Sequence, residues 1–176
     1  MMDEHGWKEP ATQEEFEALM EEIKAAGITP LICPGNPEGY QIAVIGNNFA
    51  EHKLYANGKL EDPEYRSGHM SDIGEEYTYA AEKLRKWYDN GWIDANATGM
   101  TRDEAGQAFY TQKGVFYFSN NNEYANHAQA AAEAGFELGA MAMPAPEGTP
   151  VIINNFGADS WMVSAKTEHP DECIEW

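Results

Sequence analysis

A four-residue run, ValPheTyrPhe at 115–118, is the clearest strand in the chain by its aromatic and β-branched content. Gly114 precedes it, and it leads into a polar cluster, SerAsnAsnAsnGlu at 119–123. Helical patterns flank it on both sides. Thr101 and Glu104 have the spacing of a capping box, and Ala105, Ala108 and Phe109 follow on one face. After the cluster, an Ala-rich helix is expected from Tyr124 to Ala134, stopped by Gly135.

The same alternation recurs along the chain. Thr12 and Glu15 open a helix with Phe16, Leu19, Met20 and Ile23 inward, and Gly27 closes it. IleThrProLeuIleCys (28–33) reads as a short strand, and residues 40–51 as a weak helix interrupted by Gly46. Asp72 and Glu75 offer a cap for a further helix with Ile73, Tyr77, Ala81, Leu84 and Tyr88 as its apolar stripe. Residues 136–143, 151–153 and 161–164 read as strands, and Pro170 suits the first turn of a last helix. Helices alternating with short strands define an α/β architecture.

At 176 residues the chain is long enough for one domain with its own core. With 11 basic and 30 acidic residues, its net charge is −19. That argues against a phosphate-backbone partner, which needs basic stripes, so no nucleic acid is expected. It also disfavours docking on anionic lipid. No apolar run approaches the roughly 20 residues of a membrane helix. The first ten residues are not a signal peptide, which leaves a cytosolic protein or one with a missing upstream part. The final helix has about seven residues before Trp176, too short to be stable alone, so the chain is expected to be cut there.

Metal and catalytic motifs are sparse. Asp94, Asn96 and Thr98 alternate like the start of a calcium loop, without the Gly and Glu that complete one. His5, His52, His69, His127 and His169 are scattered, and each is expected on the surface. Cys33 and Cys173 are expected to be inert buried thiols. No nucleophile elbow or phosphate-cradling loop is present, and no single carboxylate stands out. No metal, cofactor or catalytic residue is therefore expected.

Amides beside aromatics at strand ends are the feature with functional content. Asn120, Asn121, Glu123 and Tyr124 follow the 115–118 strand; Asn155, Phe156 and Asp159 follow the 151–153 strand. Open α/β sheets bind ligands beyond the carboxyl ends of their strands. Amides and carboxylates offer donors and acceptors suited to a polyol, and an aromatic face suits a sugar ring. The same Asn residues read equally well as helix caps and turn formers.

Several stretches, in order, resemble the second lobe of the extracellular solute-binding proteins of ABC importers, of the carbohydrate-binding type. They are residues 1–16, AlaAlaGlyIleThrPro (25–30), AspAsnGlyTrpIleAsp (89–94) with AlaThrGlyMetThr (97–101), and AlaPheTyrThrGlnLysGlyValPheTyrPhe (108–118). MetProAlaProGlu (143–147) and SerAlaLysThrGluHisProAspGlu (164–172) complete the set. The resemblance implies one incomplete lobe of a two-lobed periplasmic-binding-protein-like fold. It implies capture of a small solute, a sugar or oligosaccharide, for delivery to a membrane permease, without chemistry. It implies an extracellular or periplasmic home with a membrane anchor.

On this resemblance residues 1–155 form the second lobe, and 156–176 form a hinge and return segment whose own lobe precedes Met1. Residues 160–176 are then expected to pack irregularly or against a second copy. Relatives carry a sugar-stacking Trp where this chain has Asn122, so Tyr124 is the substitute, and Tyr40 falls where relatives carry an aromatic near the cleft. Trp161 matches an inward strand position. The alternatives are a glycoside-processing enzyme domain and a protein-interaction domain in which the amides only cap helices.

Overall fold

Two short strands, β1 (Thr29–Ile32) and β2 (Gly114–Tyr117), pair in parallel, with Thr29 opposite Gly114 and Ile32 opposite Tyr117. In the computed structural model the described residues are 1–36, 40–61, 74–120, 123–152 and 163–175, the side chains of 40, 174 and 175 excepted. A third extended segment lies on the other edge of β1: the Leu31 amide donates to the Trp92 carbonyl, and Asp94 donates back to Leu31. All three segments point their carboxyl ends the same way, because parallel strands need crossovers and the helices supply them.

Around them run α1 (Met2–His5), α2 (Gln13–Ala25), α3 (Tyr40–Ala56), α4 (Glu75–Asp89), α5 (Arg102–Tyr110), α6 (Tyr124–Glu133) and α7 (Pro170–Glu175). The Thr101–Glu104 capping box forms in full. At α2 the Thr12 hydroxyl accepts from the Glu15 amide, while Glu15 accepts from the amide of Ala11 rather than Thr12. Phe16, Leu19, Met20 and Ile23 are buried as the periodicity requires. The main core gathers Phe16, Met20, Leu31, Ile45, Phe49, Trp87, Trp92 and Ile93; a smaller cluster of Ile32, Ala105 and Phe109 lies under Tyr117, Phe136 and Leu138.

Several expectations are corrected. Residues 136–143 form no strand: Phe136 and Leu138 alternate with exposed neighbours, the alternation breaks at 139–140, and the backbone joins no ladder. Of the other two expected strands, 151–152 and 163–164 are not strand, and the remaining residues lie outside the described set. Gly46 does not interrupt α3, which runs unbroken to Ala56. The inward face of α4 is Glu76, Ala80 and Trp87; Tyr77 and Leu84 are half-buried, Ala81 and Tyr88 are exposed, and the cap is Gly74.

His52 is buried on α3 with Gln41 and Asn48, and both its ring nitrogens lack a hydrogen-bond partner. Burial, then the nearby Lys83 charge, push its pKa down, so it sits there neutral. Cys33 is buried, and burial pushes its thiol up to about 12; Cys173 is exposed rather than buried. His69 lies outside the described residues, and His5 and His169 are exposed as expected.

Glu76 is charged although its side chain is wholly covered. The Lys59 ammonium donates to its Oε1 at 2.7 Å and Asn57 at 2.8 Å. The Lys59 bond, outweighing burial, holds the carboxyl down at about 2. A carboxylate depressed in the folded state stabilises the fold above its ordinary pKa of 4.5 and loses that contribution as pH falls toward about 2. Urea midpoints of the native chain should therefore fall more steeply through this window than those of Glu76→Gln. Parallel acid profiles would exclude this pairing as a source of stability.

Candidate functional site

The carboxyl-terminal edge of the parallel strands is assembled from three loops. After β1, the amides of Gly35 and Asn36 both donate to the Met100 carbonyl, and the Asn36 side chain donates to the Gly99 carbonyl at 3.2 Å. The Asp94 carboxylate accepts from the Asn96 amide, which makes a tight turn of the would-be calcium motif. After β2, Phe118 donates to the Ile32 carbonyl, and the chain then turns through Ser119 and Asn120 into α6.

Glu123 is the centre of this edge. Its Oε2 accepts from the Ser119 hydroxyl at 2.6 Å, and its Oε1 accepts from Arg102 Nη1 at 3.3 Å. Its amide donates to the Asn120 carbonyl. The Ser119 bond, with smaller help from the Arg102 charge, holds the Glu123 carboxyl below the usual carboxylate range against the opposing effect of burial. Its side chain remains 27% exposed. Beneath it, His127 Nε2 lies 2.9 Å from Ser119 Oγ, and His127 Nδ1 lies 2.6 Å from the Tyr110 hydroxyl. The imidazole edge meets the Tyr117 ring at 5.0 Å. Burial, reinforced by the Glu123 charge, pushes Tyr117 up to about 12 and raises Tyr110, so both phenols stay protonated.

The expectation that His127 is a surface residue is thus corrected. It is a hydrogen-bonded part of the edge, with 15% of its side chain exposed. A sequence signal for it exists: Ser119, Glu123 and His127 are spaced by four, as helical neighbours are. The Ser119–His127 contact does not make a nucleophile, because the Ser119 hydrogen is directed at Glu123 and not at the imidazole.

Of the sequence candidates, the structure places Asn120, Glu123 and Tyr124 together. Tyr124 is 44% exposed, with its hydroxyl 3.5 Å from the Leu138 carbonyl. Asn121, Asn155, Phe156 and Asp159 lie outside the described residues, as does Trp161. Tyr40 is the first residue of α3, and its side chain lies outside the described set. Sequence reasoning missed Ser119 as a ligand of Glu123, and missed His127, Tyr110 and Arg102. Among the described residues no group of three His, Cys, Asp or Glu side chains could hold a metal.

The described strand ends of this parallel α/β lobe thus carry a fixed carboxylate and an exposed phenol. The chain belongs to the bacterial extracellular solute-binding protein family, whose model matches residues 1–176. Family members are carriers rather than enzymes, and the family's home is extracellular or periplasmic. Among the described residues no helix is long and apolar enough to cross a membrane.

Solved structures share the fold. A sugar transporter from Bacillus licheniformis in complex with stachyose is 19% identical with a TM-score of 0.70, over 99% of this chain and 45% of that one. A structure from work on xylan utilization by Caldanaerobius polysaccharolyticus is 24% identical with a TM-score of 0.67, over 99% of this chain and 44% of that one. The bacterial solute receptor AcbH, with an exclusive preference for β-D-galactopyranose, is 20% identical with a TM-score of 0.64, over 82% of this chain and 35% of that one. The chain therefore spans less than half the length of these structures, which makes it a partial periplasmic-binding-protein-like fold. No curated protein matches it.

Proposed function

We propose that the chain forms one wall of a carbohydrate-binding cleft and performs no chemistry on its ligand. The observation that carries this is the Glu123 carboxylate, ionised and fixed by Ser119 and Arg102 on the turn that runs from Asn120 to the exposed Tyr124. A sugar hydroxyl donates to a carboxylate and accepts from an amide, while the ring's apolar face lies on an aromatic. Asn121, Asn155, Phe156, Asp159 and Tyr40 would extend this wall. The solved structure in complex with stachyose, and the receptor with a preference for β-D-galactopyranose, support a sugar over another solute.

In this reading residues 1–155 act as the second lobe, and 156–176 as hinge and return segment. The ligand is handed to the permease of an ABC importer, at an extracellular or periplasmic site with a membrane anchor. A second lobe would complete the contacts, so the wall alone binds weakly. The exposed Val163, 47% accessible, supports pairing of the return segment with a first lobe or a second copy.

The test is amide NMR of the chain titrated with galactose, stachyose and xylan-derived oligosaccharides to high millimolar concentration. Saturable shifts confined to Ser119, Asn120, Glu123, Tyr124 and their neighbours are expected. A response to peptides or polyamines with silence toward every sugar would replace the carbohydrate reading.

A further inference from the structure

The hydrogens of the Tyr110–His127–Ser119–Glu123 cluster can be assigned from one end. Glu123 is ionised, so it only accepts, and the 2.6 Å contact commits the Ser119 hydrogen to it. Ser119 Oγ then has only lone pairs to offer His127, so the hydrogen of the 2.9 Å contact belongs to Nε2. A neutral imidazole carrying its proton on Nε2 has a bare Nδ1, which must accept. The Tyr110 hydroxyl, kept protonated by burial, donates to it at 2.6 Å. Each hydrogen has one place, and all point toward Glu123.

The chain also joins three elements. Tyr110 ends α5, Ser119 follows β2, and His127 lies one turn inside α6. The imidazole is therefore the piece that ties the depth of the Glu123 carboxylate to the smaller core below. The titratable and charged groups facing it are Tyr110 from α5, Tyr117 from β2, and Glu123 with its partner Arg102.

We propose that His127 is a positioning residue of the ligand-binding edge: as its Nε2–H tautomer it relays a one-way hydrogen-bond chain from Tyr110 through Ser119 to Glu123, and so fixes the carboxylate that ligand hydroxyls meet. This rests on the carbohydrate reading above. His127 touches no ligand itself and acts through Ser119.

Two measurements test it. Long-range proton–nitrogen correlation of the neutral His127 ring in the unliganded native chain should show a bare Nδ1 and a protonated Nε2. The opposite tautomer overturns the relay. His127→Phe keeps a ring against Tyr117 but cannot relay, and should weaken sugar binding about tenfold, the worth of one lost charge-directed hydrogen bond. His127→Gln, with an acceptor and a donor at one end, should recover most of that loss. Native affinity in His127→Phe overturns the proposal. If no sugar shifts the native chain, the carbohydrate reading fails by itself. His127 is then judged by the tautomer and by whether His127→Phe moves the Ser119, Asn120 and Glu123 amide resonances; unmoved resonances overturn the positioning role.

Discussion

Replacing Trp87 by Ala should cost about 3–5 kcal/mol, the range for truncating a fully buried large aromatic. Trp87 is entirely inaccessible, and its ring meets Phe16 at 5.6 Å, Phe49 at 4.9 Å and Trp92 at 6.4 Å, each edge to face. It thereby joins α2, α3, α4 and the segment beside β1. Edge-to-face pairs add to area burial because the positive rim of one ring meets the negative face of the next. The indole N–H donates to Glu17 Oε1 at 2.8 Å, and Glu17 also pairs with Lys83 at 3.2 Å and Lys86 at 2.8 Å. Truncation thus opens a cavity and removes one donor from a carboxylate that has two others. Trp87→Phe keeps a six-membered ring in the cluster while losing the N–H and part of the indole, so its loss should be smaller. Chemical denaturation followed by circular dichroism measures both. A Trp87→Ala loss below about 1 kcal/mol would mean that the surrounding rings collapse into the space.

The α/β class was legible because caps are local. Thr101 and Glu104 declare a helix start within four residues, and the 115–118 run declares a strand within four. The failures share one cause, partners supplied from far along the chain. Residues 136–139 have the side-chain alternation of a strand, since Phe136 and Leu138 pack on the Phe109 cluster with a 5.9 Å ring contact between Phe136 and Phe109. Alternation reports one buried face but not a hydrogen-bonded neighbour. On α4 the apolar stripe expected to face inward runs through Tyr77, Ala81, Leu84 and Tyr88 and leaves out Glu76. Glu76 faces inward because Lys59 and Asn57 meet it there.

The site divides the same way. Asn120, Glu123 and Tyr124 could be singled out as candidates because strand ends and residue chemistry are both written locally. Their support was not: the His127 side chain is defined by Tyr110, 17 residues earlier, and by Ser119 on the strand exit. The spacing of Ser119, Glu123 and His127 by four was available, but among many carboxylates it carries no weight without the tyrosine. Recognition of the family rested on the order of weak motifs along nearly the whole chain, and the family model matches residues 1–176.

Gly35→Ala should be the most damaging small change at the strand-end edge, costing about 1–3 kcal/mol, the range for overpacking a close contact. A methyl there would lie 2.6 Å from the Ala97 carbonyl oxygen, 2.9 Å from Ile42 Cδ1 and 3.0 Å from Thr98 Cα. Ile42 could turn aside, but two of the three neighbours are backbone and cannot. The loop after β1 would have to lift from residues 97–100, which breaks the paired bonds from Gly35 and Asn36 to the Met100 carbonyl. The residues freed sit directly before the Thr101 cap of α5, whose first residue, Arg102, holds Glu123. A change on one strand exit should therefore reach the carboxylate on the other, and weaken ligand binding together with stability. Gly139→Ala is the control, since no atom lies within 4 Å of the added carbon. Denaturation midpoints within about 0.5 kcal/mol of that control would show that the two loops yield without strain. In that case the strand-end edge adapts to its ligand. A loss of the expected size, with shifted Asn36, Met100 and Glu123 amides, would show that backbone contact holds the wall in place before any ligand arrives.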